Sequence, residues 1–344
     1  MSLDVISRSR RTAAALALVA SLLLAAGFAP AALAAGERAA SPALADGVVV
    51  DAARGVAYVM NAQGGIDAVE LARGTTSWAT DAAAKPLLVD GETLLAQAKT
   101  GAAGQLPLAL ISLGADKGAR PLAVELPAGV QARLVDGRDG FFRLEAEVGA
   151  AGEVVLTWLS ASIPVQGALL VDEGAPLVTA SATLTERRLA HPATHQEGAA
   201  AVQLATGVAR AMPVEEARGR LATRAGAERF AVKADGARQY LSADGRHFLV
   251  SQTTQAADPA SRYRWTLVER ASGAVLGSLA TSAPTAPFVI SGSRLILVAQ
   301  PRIQRVEGKW LEEARTLKAI DLATGAQLWT RAVVDPTFRG PAAP

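Results

Sequence analysis

The chain has no cysteine. That excludes disulfides, thiolate metal sites, cysteine nucleophiles and lipid attachment through a cysteine. It has three histidines, His191, His195 and His247. Pro192 breaks the helix that would set His191 and His195 on one face, and no carboxylate spacing completes a three-ligand set, so no metal site is expected. Aromatics make up only 4% of the residues, which argues against a sugar-stacking platform. There is no Gly-rich phosphate loop and no G-x-S-x-G elbow. Charge of one sign is also missing. The formal +2 comes from the first 34 residues, which carry Arg8, Arg10, Arg11 and Asp4, and the rest of the chain is balanced. Bulk electrostatic binding of nucleic acid or anionic lipid is not expected.

The one long apolar run is N-terminal. Three arginines precede Thr12–Phe28, and Ala32-Leu33-Ala34 is a small-residue cleavage site, so residues 1–34 read as a signal peptide. An uncleaved membrane anchor is the alternative reading. Ser9-Arg10-Arg11 adds a weak twin-arginine signal to what is otherwise a Sec-type leader. Export to the periplasm or out of the cell follows. No later run is long enough to span a bilayer. Residues 35–45 read as a linker, 46–334 as the folded domain, and 335–344 as a tail or closing strap.

What the sequence has is repetition. Leu317–Trp329 (LKAIDLATGAQLW) reads as strand, tight turn, strand: Asp321 folds its carboxylate onto backbone N–H groups ahead of it, and Gly325 takes the positive φ that closes a bulged hairpin. The frame returns at Ile66–Trp78, where Ala68, Glu70, Gly74 and Trp78 match Ala319, Asp321, Gly325 and Trp329. Ala201 and Gly207 keep it without the Trp, and Trp265–Gly277 keeps it more weakly. A second signature, an apolar pair, an Asp/Gly turn and an apolar strand, begins at Val48, Leu87, Arg133, Leu241 and Val289. Two hairpins in series make a four-stranded antiparallel meander. Key glycines at 74, 118, 207, 273 and 325, with the Phe141–Trp158 hairpin filling the widest gap, give about six units. Strands such as Leu295–Val298 are apolar on both faces, as a blade between two blades requires. The expected fold is an all-β propeller of about six to eight four-stranded blades.

The 319–329 frame, with Ala319, Asp321, Thr324, Gly325 and Trp329, resembles the pyrroloquinoline quinone repeat of the quinoprotein-like propellers. The resemblance implies that Trp78 and Trp329 dock against neighbouring blades. Family dehydrogenases use a vicinal disulfide over the quinone, a calcium ion and an aspartate base; the disulfide is impossible here, and no positions receive the catalytic residues. No cofactor is expected. The chain is closest in kind to cofactor-free envelope propeller scaffolds, which implies other envelope proteins as partners. A degenerate quinoprotein-type enzyme, or a small-ligand binder using the central channel, is the alternative.

Strand order places the long connections, at Ala98–Pro107, Thr253–Ser261 and Pro301–Thr316, on one rim. They are binding loops or drifted insertions. Within the longest, Trp310 lies among Lys309, Glu312 and Arg315, and it either anchors a partner or folds back on its own blade. Arg187–Arg229 reads as a solvated insertion in which Met212–Glu216 starts a short helix.

Overall fold

The computed structural model describes residues 40–134, 140–149, 152–162, 194–222, 230–232, 237–299, 303–306, 309–312 and 314–334. The expected signal peptide, the 335–344 tail and the 187–193 stretch lie outside them.

Five antiparallel meanders make five blades among the described residues. Blade 1 runs β2 (Val48–Asp51), β3 (Val56–Met60), β4 (Ile66–Glu70), β5 (Thr76–Thr80). Blade 2 runs β6 (Lys85–Asp90), β7 (Thr93–Gln97), β8 (Gln105–Ser112), β9 (Ala119–Glu125). Blade 3 has β10 (Gly140–Val148), β11 (Val154–Ser162), β12 (Thr194–Gln203) and β13 (Val208–Met212). Blade 4 has β15 (Arg238–Leu241), β16 (His247–Thr253), β17 (Tyr263–Glu269) and β18 (Val275–Thr281), with β14 (Phe230–Val232) added inside β15. Blade 5 is β19 (Phe288–Ser291), β20 (Arg294–Ala299), β23 (Arg315–Asp321) and β24 (Gln327–Val333). The hairpin β21 (Ile303–Val306) and β22 (Lys309–Glu312) forms a sheet of its own in the β20–β23 connection.

Five blades are described where the repeat spacing gives about six units, because two of those units belong to one blade. The Phe141–Trp158 hairpin and the Gly207 hairpin are the inner and outer halves of blade 3, with β11 paired to β12 over its full length. Residues 194–212, expected within a solvated insertion, are thus blade strands. The helix α1 (Val214–Ala222) follows, with Glu215 and Glu216 at its N-terminal end and Arg220 near its C-terminal end, matching the helix dipole. Ala217 is fully buried against Val155, Ala199 and Ala201, so α1 covers one face of blade 3 rather than lying free in solvent.

Residues 41–45, expected within a linker, form strand β1 (Ser41–Ala45). β1 pairs with the innermost strands of two blades, Ala43 opposite Val49 of β2 and Pro42 opposite Leu88 of β6. It joins blades 1 and 2 into one nine-stranded sheet. Small side chains and one proline hide this strand from a reading based on β-propensity, yet suit a crowded position at the axis.

The inner strands of blades 1 and 5 share their two faces between two neighbours. In β20, Leu295 and Leu297 pack towards blade 4, and Ile296 and Val298 towards blade 1. In β2, Val48 and Val50 pack towards blade 5, and Val49 towards blade 2. Blade 5 thereby closes onto blade 1. A single register position makes the outer contacts. Trp329, opposite Ala319, donates from its indole Nε1 to the Leu71 carbonyl at 3.0 Å and lies against Gly74, where a Cβ would approach the ring at 2.6 Å. Trp78, opposite Ala68, reaches blade 2, where Lys117 Nζ sits 5.2 Å from the ring centroid. Arg120, opposite Leu110, donates to the carbonyls of Thr206 and Leu204 at 3.1 and 3.0 Å on blade 3. Gly277, opposite Leu267, leaves no room for a side chain, since a Cβ would lie 2.6 Å from the Leu322 carbonyl oxygen of blade 5. On blade 3 the equivalent Arg210, opposite Ala201, instead pairs with Glu153 and with Glu216 of α1.

The turns behind these contacts follow from their residues. The Asp321 carboxylate accepts from Thr324 N at 2.8 Å, Thr324 Oγ1 at 2.9 Å and Ala323 N at 3.1 Å, and these hydrogen bonds hold its carboxyl below the usual range. Gly325, Gly74, Gly207 and Gly273 take φ of 70°, 73°, 69° and 72°. Glu70 keeps the turn through its backbone, its carbonyl accepting from Gly74 N at 2.8 Å. In blade 2 the positive φ falls on Lys117, at 49°, not on the expected Gly118. That turn is longer, and Ser112 Oγ donates to Asp116 at 2.6 Å to hold it.

A second link joins blades 1 and 2 at the first turns. Arg54 pairs with Asp51 at 2.6 Å, and its Nη2 donates to the Gly91 carbonyl at 2.6 Å and to Glu92 at 2.7 Å. Tyr58 is buried beside it, and burial, reinforced by the Asp51 charge, pushes its phenol up to about 12.

Two outcomes follow. Trp329→Ala should lower unfolding free energy by about 2–4 kcal/mol, from lost packing and a stranded carbonyl, with the denaturant m-value unchanged; a loss below about 0.5 kcal/mol would refute the docking role. The Tyr58 phenol is protonated in the folded state up to a higher pH than in the unfolded chain, where it ionises near pH 10. Its contribution is complete below about pH 10 and is lost as pH rises through about 12. Alkaline melts should show Tyr58→Phe losing less stability than the parent over that window.

Candidate functional site

Inside the ring lies a cavity of about 860 Å³, lined by β1, the inner strands β6, β10 and β19, and the β15–β16 turn. Charges of both signs face it. Lys85, only 3% exposed, is paired with Asp46 at the β1–β2 turn. Arg315 Nη1 donates to the Asp46 carbonyl at 2.8 Å, so blade 5 and blade 2 both hold the end of β1. A buried lysine is tolerated only with such a partner.

The opposite wall is built from blades 3 and 4. Along β10, Phe142, Leu144 and Ala146 are buried in the core shared with blade 2, while Arg143 and Glu145 are exposed in the cavity. In the β15–β16 turn, Ser242 Oγ donates to Asp244 Oδ1 at 2.6 Å, and Arg246 N donates to the same oxygen at 3.1 Å. Burial opposes ionisation of Asp244, but these donors and the His247 imidazole hold its carboxyl below the usual range. Arg270 Nη1 donates to the Gly245 carbonyl at 3.2 Å and fixes the turn on blade 4.

Antiparallel order puts the described second-to-third-strand connections on one rim: residues 61–65, 98–104, 254–262, and β21 with β22 between β20 and β23. The blade 3 connection lies outside the described residues. The connection after β16 contains a 3₁₀ turn at Pro259–Ser261, capped by Asp258, whose carboxylate accepts from Ala260 N at 2.9 Å.

The expected partner-contact residues lie on two successive strands. Lys309, Trp310 and Glu312 lie on β22, in register with Val306, Arg305 and Ile303. Arg315 lies at the start of β23 and is turned into the cavity. Nothing in the sequence joins Arg315 to Asp46, which stands 269 positions away. His195 sits in β12 opposite Ala161, His247 in β16 opposite Glu269, and His191 outside the described residues. Among the described residues, no group of three His, Cys, Asp or Glu is placed to hold a metal ion, and no helix is long and apolar enough to cross a membrane. The cavity residues Lys85, Arg143, Glu145, Asp244 and Arg270 were not singled out from sequence. One signal was present: FFRLEAEV alternates charge with apolar residues, where a fully sandwiched strand would be apolar on both faces.

No protein-family model matches the chain, and no curated protein matches it. Among solved structures it is similar to the β-propeller domain of Cps50 (Swd1) from Myceliophteria thermophila, with 11% identity over 85% of this chain and 86% of that one and a TM-score of 0.23. It is also similar to the dihydro-heme d1 dehydrogenase NirN in complex with DHE, with 10% identity over 85% of this chain and 67% of that one and a TM-score of 0.25. The propeller assignment rests on the strand order and on the closure of blade 5 onto blade 1.

Asp244 supplies a test of the cavity wall. Its folded-state carboxyl is depressed, so its stabilisation is present above the unfolded value of about 3.9 and is lost as pH falls through the folded one. Asp244→Asn should therefore melt lower than the parent at neutral pH, and the gap should close in acid; a gap independent of pH would contradict the assignment.

Proposed function

We propose that this chain is an exported, non-catalytic β-propeller that serves as a protein-binding or assembly scaffold in the cell envelope, with other envelope proteins as its partners. One observation carries the reading. A ring locked by repeated inter-blade contacts gathers its long connections on one rim, and one of them forms a separate two-stranded sheet, β21–β22. A rigid ring with varied loops on one rim suits recognition, because the loops change without disturbing blade packing. The similarity of the Ala319–Trp329 frame to the pyrroloquinoline quinone repeat supports the reading at the level of repeat type, and the leader-like residues 1–34 support the periplasmic or secreted location.

The test replaces residues 301–314 with a short turn. In-cell crosslinking followed by affinity recovery from envelope fractions should then lose its partner bands by about tenfold or more, the size of a lost binding contact of roughly 1.4 kcal/mol. The melting temperature of the purified ring should stay unchanged. Undiminished recovery would overturn the assignment of partner binding to this rim.

A further inference from the structure

Most charges around the cavity are engaged within the protein: Lys85 with Asp46, Arg315 with the Asp46 carbonyl, Asp244 with Ser242, Arg270 with the Gly245 carbonyl. Arg143 and Glu145 are different. Both are exposed, both line the cavity, and neither has an ion pair or side-chain hydrogen bond among the described residues. They stand two positions apart on one face of β10, held in unbroken register by β11, with Arg143 opposite Leu159 and Glu145 opposite Thr157. Two positions on a strand are about 7 Å apart. A rigid strand thus anchors a cation and an anion, their Cα atoms about 7 Å apart, along the cavity wall.

We propose that this cavity binds a linear zwitterion whose two charges are about 7 Å apart, and that its class is the free dipeptide. A two-residue extended chain spans about that length between its ammonium and carboxylate ends. A free α-amino acid, whose ammonium and carboxylate are attached to the same carbon, spans less of that spacing and matches the pair less well. The Arg143 guanidinium takes the carboxylate through paired N–H donors, and the Glu145 carboxylate accepts from the ammonium. Phe141, half-buried on the same face, flanks the pair with an apolar surface. The volume of about 860 Å³ falls among small-ligand sites, which run from about 300 to 1,000 Å³. This goes beyond the scaffold reading, which places its partner on the rim.

The experiment is calorimetric titration of the mature protein with Ala-Ala, free alanine, and an N-acetylated, C-amidated Ala-Ala. Ala-Ala should bind with a Kd of about 1 mM or tighter, and the other two at least about tenfold more weakly. Arg143→Met and Glu145→Gln should each weaken Ala-Ala by about tenfold or more, with unchanged melting temperature because both side chains are exposed. The exchange of both, Arg143→Glu with Glu145→Arg, should restore binding, since a dipeptide can enter in either direction. No binding of Ala-Ala, equal binding of the blocked peptide or of alanine, or insensitivity to the two single variants would each overturn the proposal.

Discussion

Trp329 on the neck of the first blade is the contact on which the ring depends. Its indole bridges the last blade and the first, with one hydrogen bond to the Leu71 carbonyl and van der Waals contact over Gly74. Both features of the receiving turn are required. Gly74 supplies the positive φ that closes the hairpin, and its missing Cβ leaves the surface on which the ring lies. The facing Ala319, fully buried, leaves space for a large side chain across the strand pair. Close by, Arg331 reaches the carboxylate of Asp67 at 2.5 Å and the Thr76 hydroxyl at 2.9 Å, and Asn61 donates to the same Asp67 at 2.7 Å. A nearly buried Asp67 with partners on both oxygens keeps its desolvation cost offset.

The same position around the ring shows how a repeat tolerates drift. Trp329, Trp78, Arg120 and Gly277 share one register position and one task, contact with the third-to-fourth-strand turn of the following blade. A tryptophan does it with area, an arginine with hydrogen bonds to turn carbonyls, and a glycine by letting two backbones meet. These solutions have no common side-chain chemistry, so a motif search finds only the tryptophans. Arg210 departs from the pattern: it pairs with Glu153 of its own blade and with Glu216 of α1.

The axis is asymmetric for a related reason. Strand β1 covers the inner edges of blades 1 and 2, and β14 extends blade 4 inwards. The wall formed by β10 keeps exposed charges, and the cavity opens along it. Rim and cavity are therefore separate surfaces with separate chemistry. The rim varies through loop length, and the cavity is fixed by strand register.

Much of the fold was legible in the chain. The two hairpin signatures gave the strands, and apolar residues on both strand faces required blades packed between blades. The Asp321 and Gly325 turn was readable because its hydrogen bonds close within four residues. The blade count was not, because spacing cannot tell whether two successive hairpins share a sheet; only the β11–β12 pairing shows that they do. Nor could sequence distinguish β1 from a linker, since a stretch of Ser, Pro, Ala and one Leu becomes a strand only when two inner edges stand ready to pair with it. Local hydrogen bonding and strand periodicity belong to the sequence. Ring closure, the engagement of Arg315 and Lys85 with Asp46, and the two uncommitted charges of β10 belong to the tertiary structure, because each depends on groups brought together across the ring from distant parts of the chain.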